Sequence, residues 1–147
     1  GVVRPRDIAL YKDGAYVGKT TMWDEDFPYT RSSVNEHVFL VRAQDSIGQE
    51  FLYFWMTDPS NNADLVNLNS NSAQPGLSQG ALNTLRVVLP PESIRVVFAE
   101  IARPLLSGVF RNAKQIRDLT RLRDQLIPKL VTGDLIVGSQ PALGGNN

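Results

Sequence analysis

The stretch LYKDGAYVGKTTMW, residues 10–23, places Gly14, Gly18, Lys19 and Thr20 where a phosphate-binding loop would be sought. Such a loop needs four residues between its first glycine and the Gly-Lys pair, so that successive backbone N–H groups wrap the phosphates. Here there are three, and Asp13 brings a carboxylate to the place of the first glycine. The next residues, TTMWDEDFPYT, do not open a helix whose N-terminus would hold the anion. A β-hairpin is the better reading, because Asp-Gly supplies the positive φ that a type I′ turn needs.

Other residues with chemical potential are sparse. The single histidine, His37, lies in a strand-like pattern, EHVFLVRA, where a structural role is expected. Asp24, Glu25 and Asp26 form an acidic run without a nearby histidine, which reads as solvated loop rather than a metal site. With no cysteine in the chain, a disulfide scaffold and a thiolate-ligated zinc are ruled out. No catalytic constellation is expected, and no metal or cofactor.

The 147 residues amount to one domain, or a small domain with an appendage. Hydrophobic residues make up 42% and charged residues 20%, enough for a real core and too few charges for general disorder. No apolar run approaches the length of a membrane span and no signal-peptide core is seen, so a soluble, cytoplasmic protein without a membrane partner is expected. The abrupt start, GVVRPRDIAL, reads as cut from something longer. Net charge is zero but unevenly spread. Residues 1–90 hold seven Lys/Arg and ten Asp/Glu, and residues 91–147 hold eight and five. A nucleic-acid surface usually leaves a basic footprint, and the first ninety residues do not show one in their sum.

Periodicity predicts the elements. Residues 8–12 and the return AYVGKTT predict paired strands, residues 24–35 a polar loop, and residues 36–43 a third strand. Phe51, Phe54 and Trp55 fall at i, i+3, i+4 and predict an amphipathic helix that Pro59 ends. NNADLVNLN is a candidate short helix, residues 69–80 a loop, and LRVVL at 85–89 a strand stopped by Pro90-Pro91. Residues 92–102 are helical. Pro104 is expected either to break that helix or to open a new one. Beyond it, Leu105, Val109, Asn112, Ile116, Leu119, Arg123, Leu126 and Leu130 alternate at spacings of four and three, a heptad seam in which Asn112 and Arg123 are polar interruptions. Pro128 should kink the last turn and Gly133 should stop it. The fold class is α+β: a small mixed sheet-and-helix domain, then a long coiled-coil-type helix. Domain limits of 1–90, 91–133 and a tail at 134–147 are expected. About thirty helical residues span ~45 Å, which a ninety-residue domain does not cover, so a partner helix is expected.

Three passages carry a family resemblance. RDIALYKDGAYVGKT resembles the strand and hairpin of target recognition domains in type I restriction-modification specificity subunits, where a GDI…R.G…GK pattern recurs. SNSAQPGLSQGALNTLRVVLPP at 70–91 resembles the passage in which a Gly/Ser/Gln loop leads to a strand and a double proline. IRDLTRLRDQLIPKLVTGDLIV at 116–137 resembles the end of that family's helical region, typically L…LRD.LLPKL.SGE. The order and spacing of all three cover most of residues 6–137.

The resemblance implies a non-catalytic module that reads half of a bipartite site in double-stranded DNA. It implies docking to methyltransferase subunits and, through them, to a restriction motor subunit. Two helices paired antiparallel separate two such domains in the family, so a homodimer through the long helix would complete the design. The carry-over puts Lys12 and Lys19 on phosphates, with Thr20 and Thr21 as hydroxyl donors. Tyr16, Asn71, Gln74 and Gln79 would address base edges, and Arg31 adds a cation from the polar loop. The family's recognition domain has a further stretch before the hairpin that does not occur here. From a different class, the alternative is a protein-interaction fragment whose helix docks or dimerises without DNA.

Overall fold

The computed structural model describes residues 1–25, 27–44, 46–68 and 76–136. Its elements run β1 (Ile8–Tyr11), β2 (Thr20–Met22), β3 (Val38–Val41), α1 (Gln49–Thr57), α2 (Pro59–Asn67), α3 (Gln79–Leu82) and α4 (Glu92–Thr132). A small antiparallel sheet followed by a 41-residue helix is the α+β arrangement that the periodicities predict.

β1 is the central strand, in the order β2-β1-β3. Ile8 sits opposite Met22 and Val41, and Leu10 opposite Thr20 and Phe39. Because side chains alternate across a sheet, these six share one face. Ala9, Thr21 and Leu40 take the other. The core gathers on the first face, where Ile8, Leu10 and Met22 pack with Met56 of α1, Leu65 of α2, Leu77 and Leu106 of α4. α1 also meets α4 through aromatic edges, with Phe98 against Phe51 and Phe54 at 6.2 and 5.6 Å. At the α1–α2 junction Asp58 ends one helix and caps the next. Its Oδ1 accepts from the N–H groups of Ser60 and Asn61 at 3.0 and 3.1 Å, and Pro59 fills the first helical position, where an N–H is not needed.

Three local expectations are corrected. Asp13-Gly14 does not form a type I′ turn, since Asp13 is extended at φ −148° and a short 3₁₀ turn follows at Gly14–Tyr16. The chain turns over a longer loop, closed where Gly18 N–H donates to Tyr11 O at 2.9 Å, and Gly14 and Gly18 supply the positive φ values. LRVVL at 85–89 is not a strand. Leu85 and Val87 line an apolar hollow beside β3, Val88 is 85% exposed, and Pro90-Pro91 have no N–H to extend a ladder. Pro104 neither ends nor starts a helix, because α4 continues through it. The lost backbone bond is outweighed by anchors on either side: Ala102 and Leu106 are buried, and Arg103 reaches Glu50.

The chain divides into two compact units, Gly1–Phe110 and Arg111 onward. In the second, Ile116, Leu119, Ile127, Leu130 and Val131 are exposed, as are the polar seam residues Asn112 and Arg123, while Leu126 is half-covered. Leu105 and Val109, which begin the seam in the first unit, are exposed as well. α4 runs four residues past Pro128, and Gly133 comes next in the left-handed region at φ +80°, its N–H donating to Leu130 O at 3.3 Å.

Candidate nucleic-acid interface

The loop between β1 and β2 sorts the sequence-derived contact residues into two groups. Tyr16 lies 5.7 Å from Tyr11, which is on the Ala9–Thr21 side of the sheet, and Lys19 Nζ stands 5.1 Å from the centre of the Tyr16 ring. Tyr16, Lys19 and Thr21 are all exposed there, so a lysine, a phenol and a hydroxyl are presented together. Lys12 belongs with the opposite side, its Nζ 5.4 Å from the Phe39 ring centre. Lys12 O accepts from Leu77 N–H at 2.6 Å, which fixes the start of the α3 region beside the hairpin loop. Gln79, exposed in the first turn of α3, borders the apolar hollow lined by Phe39 and Leu85.

Other candidates are placed differently. Thr20 is on the core-facing side and its Oγ1 donates to Gly18 O at 3.0 Å, so its hydroxyl proton is already used. Arg31 is exposed in a separate hollow with Val2, Val3 and Thr30. Asn71 and Gln74 lie outside the described residues.

Beside Lys12, Asp13 Oδ1 and His37 Nδ1 are 2.8 Å apart. The Asp13 side chain raises the pKa of His37 above its ordinary value through this hydrogen bond and its charge. His37, expected as a strand residue, therefore ends up just before β3 as the partner of an acid that would otherwise oppose Lys12.

A second charged cluster of the first unit was hardly legible in the sequence. Asp7 and Glu50 are 3% and 2% exposed. Asp7 accepts from Arg42 Nε and Nη2, both at 2.6 Å, and from the Arg4 N–H at 2.8 Å. Glu50 accepts from Arg6 Nη2 and, at 2.8 Å, from Arg103 Nε. Burial would push both carboxyls up, but these donors win and hold both below their ordinary values. Arg4-Pro5-Arg6-Asp7 is a tight turn, with Asp7 N–H donating to Arg4 O at 3.1 Å and Arg6 at φ +71°. Proline second and positive φ third is the type II pattern, which normally takes glycine in the third place. The GDI pattern of the resembled family has that glycine, and this chain has Arg6 instead. The one sequence signal was this departure.

Comparison with known proteins agrees with the motif reading. No family model matches the sequence. The specificity subunit of the type I restriction enzyme MjaIX from Methanocaldococcus jannaschii is 36% identical over 63 residues, 43% of this chain and 15% of that protein. The specificity subunit of the type I restriction enzyme HindI from Haemophilus influenzae is 25% identical over 105 residues, 71% of this chain and 23% of that protein. The matches therefore span less than a quarter of either relative. Over part of its length, this chain is a distant homologue of the specificity subunits of type I restriction enzymes.

Proposed function

We propose that the chain is a DNA target-recognition module of a type I restriction-modification assembly, with no catalysis of its own. The observation that carries this reading is the relation to two specificity subunits, one archaeal and one bacterial, along a stretch that includes most of this chain in the second case. The hairpin loop supports it physically. Lys19, Tyr16 and Thr21 stand together on an exposed surface, and Lys12 and Gln79 edge the other side. Lysines on phosphates set position, and polar side chains at base edges read sequence. Asn71, Gln74 and Arg31 complete the proposed contact set, with Thr20 demoted to shaping the loop.

In this reading α4 is the spacer. Leu105, Val109, Asn112, Ile116, Leu119, Arg123, Leu126 and Leu130 form its interface with a second helix, from another copy of the chain in a homodimer. The same helical region docks methyltransferase subunits, and a motor subunit joins through them. An assembly acting on cellular DNA works in the cytoplasm. Among the described residues no helix is long and apolar enough to cross a membrane.

The protein-interaction reading has one observation in its favour: residues 1–90 carry three more acids than bases. Duplex binding at several salt concentrations, with and without a methyltransferase subunit, separates the two. Phosphate contacts give an affinity that falls steeply with salt. No duplex bound at low salt, with the subunit present, would refute the DNA reading.

A further inference from the structure

The hollow between the Arg4–Asp7 turn, β3 and the start of α1 is not used by the function proposed above. It is open and of about 410 Å³, and four arginines line it: Arg4, Arg6, Arg42 and Arg103. Two carboxylates, Asp7 and Glu50, also line it, so the described lining residues carry an excess of two positive charges. Both carboxylates are already engaged, Asp7 by Arg42 and Glu50 by Arg6 and Arg103. Their charges are thus neutralised while donor capacity remains. A guanidinium has five N–H donors. Arg103 gives Glu50 only its Nε, and its side chain is 62% exposed. Arg4 is exposed, and it supports Asp7 through its backbone N–H and its charge, while its guanidinium N–H groups make no hydrogen bond among the described residues.

Two further features belong to the same hollow. The first turn of α1 lines the hollow; its N-cap, Gly48, brings no side chain, and the Glu50 carboxylate takes up its own backbone N–H there. Arg6 is held at φ +71°, where glycine is favoured, and the fold accepts this strain while placing one more guanidinium in the cluster. Arg42 pairs with Asp7, and Arg6 and Arg103 both pair with Glu50, so among the described residues Arg4 is the lining arginine whose guanidinium is in no ion pair.

We propose that this hollow is a phosphate-binding site, taking a single phosphoryl or phosphodiester group on the forks of Arg4 and Arg103. Planar guanidinium groups match phosphate oxygens in pairs, which ammonium groups do not. The group can come from a DNA backbone or from a free phosphate, and the two sources are separable.

The test titrates the whole chain with inorganic phosphate, read by calorimetry in an otherwise phosphate-free buffer. The expected result is saturable uptake of one phosphate per chain, weakened about tenfold in Arg4→Gln, the loss of one charged hydrogen-bonding group. Arg4→Lys, which keeps charge but not the fork, should fall between. The Arg4 guanidinium makes no hydrogen bond and acts on Asp7 by charge alone, so Arg4→Lys, which keeps that charge, should leave the thermal midpoint without phosphate in place. Arg6→Gly serves as a second variant: it relieves the backbone strain and should also weaken phosphate. No saturable uptake by the wild type, or equal affinity in Arg4→Gln, would overturn the site. A duplex competitor then assigns the source. If a DNA backbone is the occupant, duplex displaces phosphate and Arg4→Gln lowers the salt slope of duplex binding by about one. If phosphate stays bound beside duplex, the occupant is a free phosphate. The phosphate titration does not depend on the DNA reading, so either idea can fail without the other.

Discussion

Gly18 is the residue on which the hairpin loop turns. It has φ +82°, and a Cβ there would meet Val66 Cγ2 at 2.3 Å, while Gly18 O accepts from Asn62 Nδ2 at 2.8 Å. Both the backbone region and the close approach to α2 demand glycine. Gly18→Ala should therefore destabilise the first unit by about 1–3 kcal/mol, read as a lower urea midpoint. Asp7 and Glu50 make a pH argument. Their carboxyls are held below the ordinary values of 3.8 and 4.5, so their contribution to stability is complete above those values. It is lost as pH falls through the depressed folded values. Urea midpoints should therefore decline as pH drops below 4.5, and Asp7→Asn should cost about 2 kcal/mol at neutral pH while flattening that decline. Apart from Arg6 in the place of a glycine, this network was not readable from the chain alone. Arg42 and Asp7 are 35 residues apart, and Arg103 and Glu50 are 53 apart, with no periodicity to link them. The phosphate-loop likeness fails in the sequence itself, on the spacing before Gly18-Lys19, on the carboxylate of Asp13 and on the lack of a helix-opening sequence after Thr20.

At the scale of elements, segments governed by a repeat period were legible, and segments governed by a distant neighbour were not. Strands β1 and β3 and helix α1 occur close to where alternation and the Phe51–Trp55 spacing put them, whereas β2 is confined to Thr20–Met22, at the end of the return AYVGKTT. LRVVL has a strand's composition, but it enters no ladder, and its Leu85 and Val87 serve as lining for a hollow instead. Pro104 is the converse case. Local propensity says stop, yet Ala102, Leu106 and Arg103 are anchored on the rest of the first unit and carry the helix through. Restoring the missing backbone donor with Pro104→Ala should raise stability by about 1 kcal/mol, seen as a higher thermal midpoint. The seam of α4 yields a sharper expectation. Leu119 is 64% exposed, which no isolated helix gains from. Leu119→Asp with Leu126→Asp should convert a dimer into a monomer in sedimentation. A monomeric wild type would contradict pairing between copies.

For the whole molecule, family likeness and charge pull in opposite directions. The chain matches only 15% and 23% of the lengths of two specificity subunits, and its first ninety residues are net acidic. The structure shows where three of the acids go. Asp7 and Glu50 are buried under arginines, and Asp13 is engaged by His37, while Lys19 and Tyr16 remain outward. The central claim is DNA recognition by this hairpin surface, and titration of duplex DNA at increasing salt tests it most directly. The account expects binding that weakens steeply with salt, with the slope reduced by about one in each of Lys12→Gln and Lys19→Gln. Absence of duplex binding at low salt in the presence of a methyltransferase subunit, or slopes identical to the wild type in both variants, would contradict it.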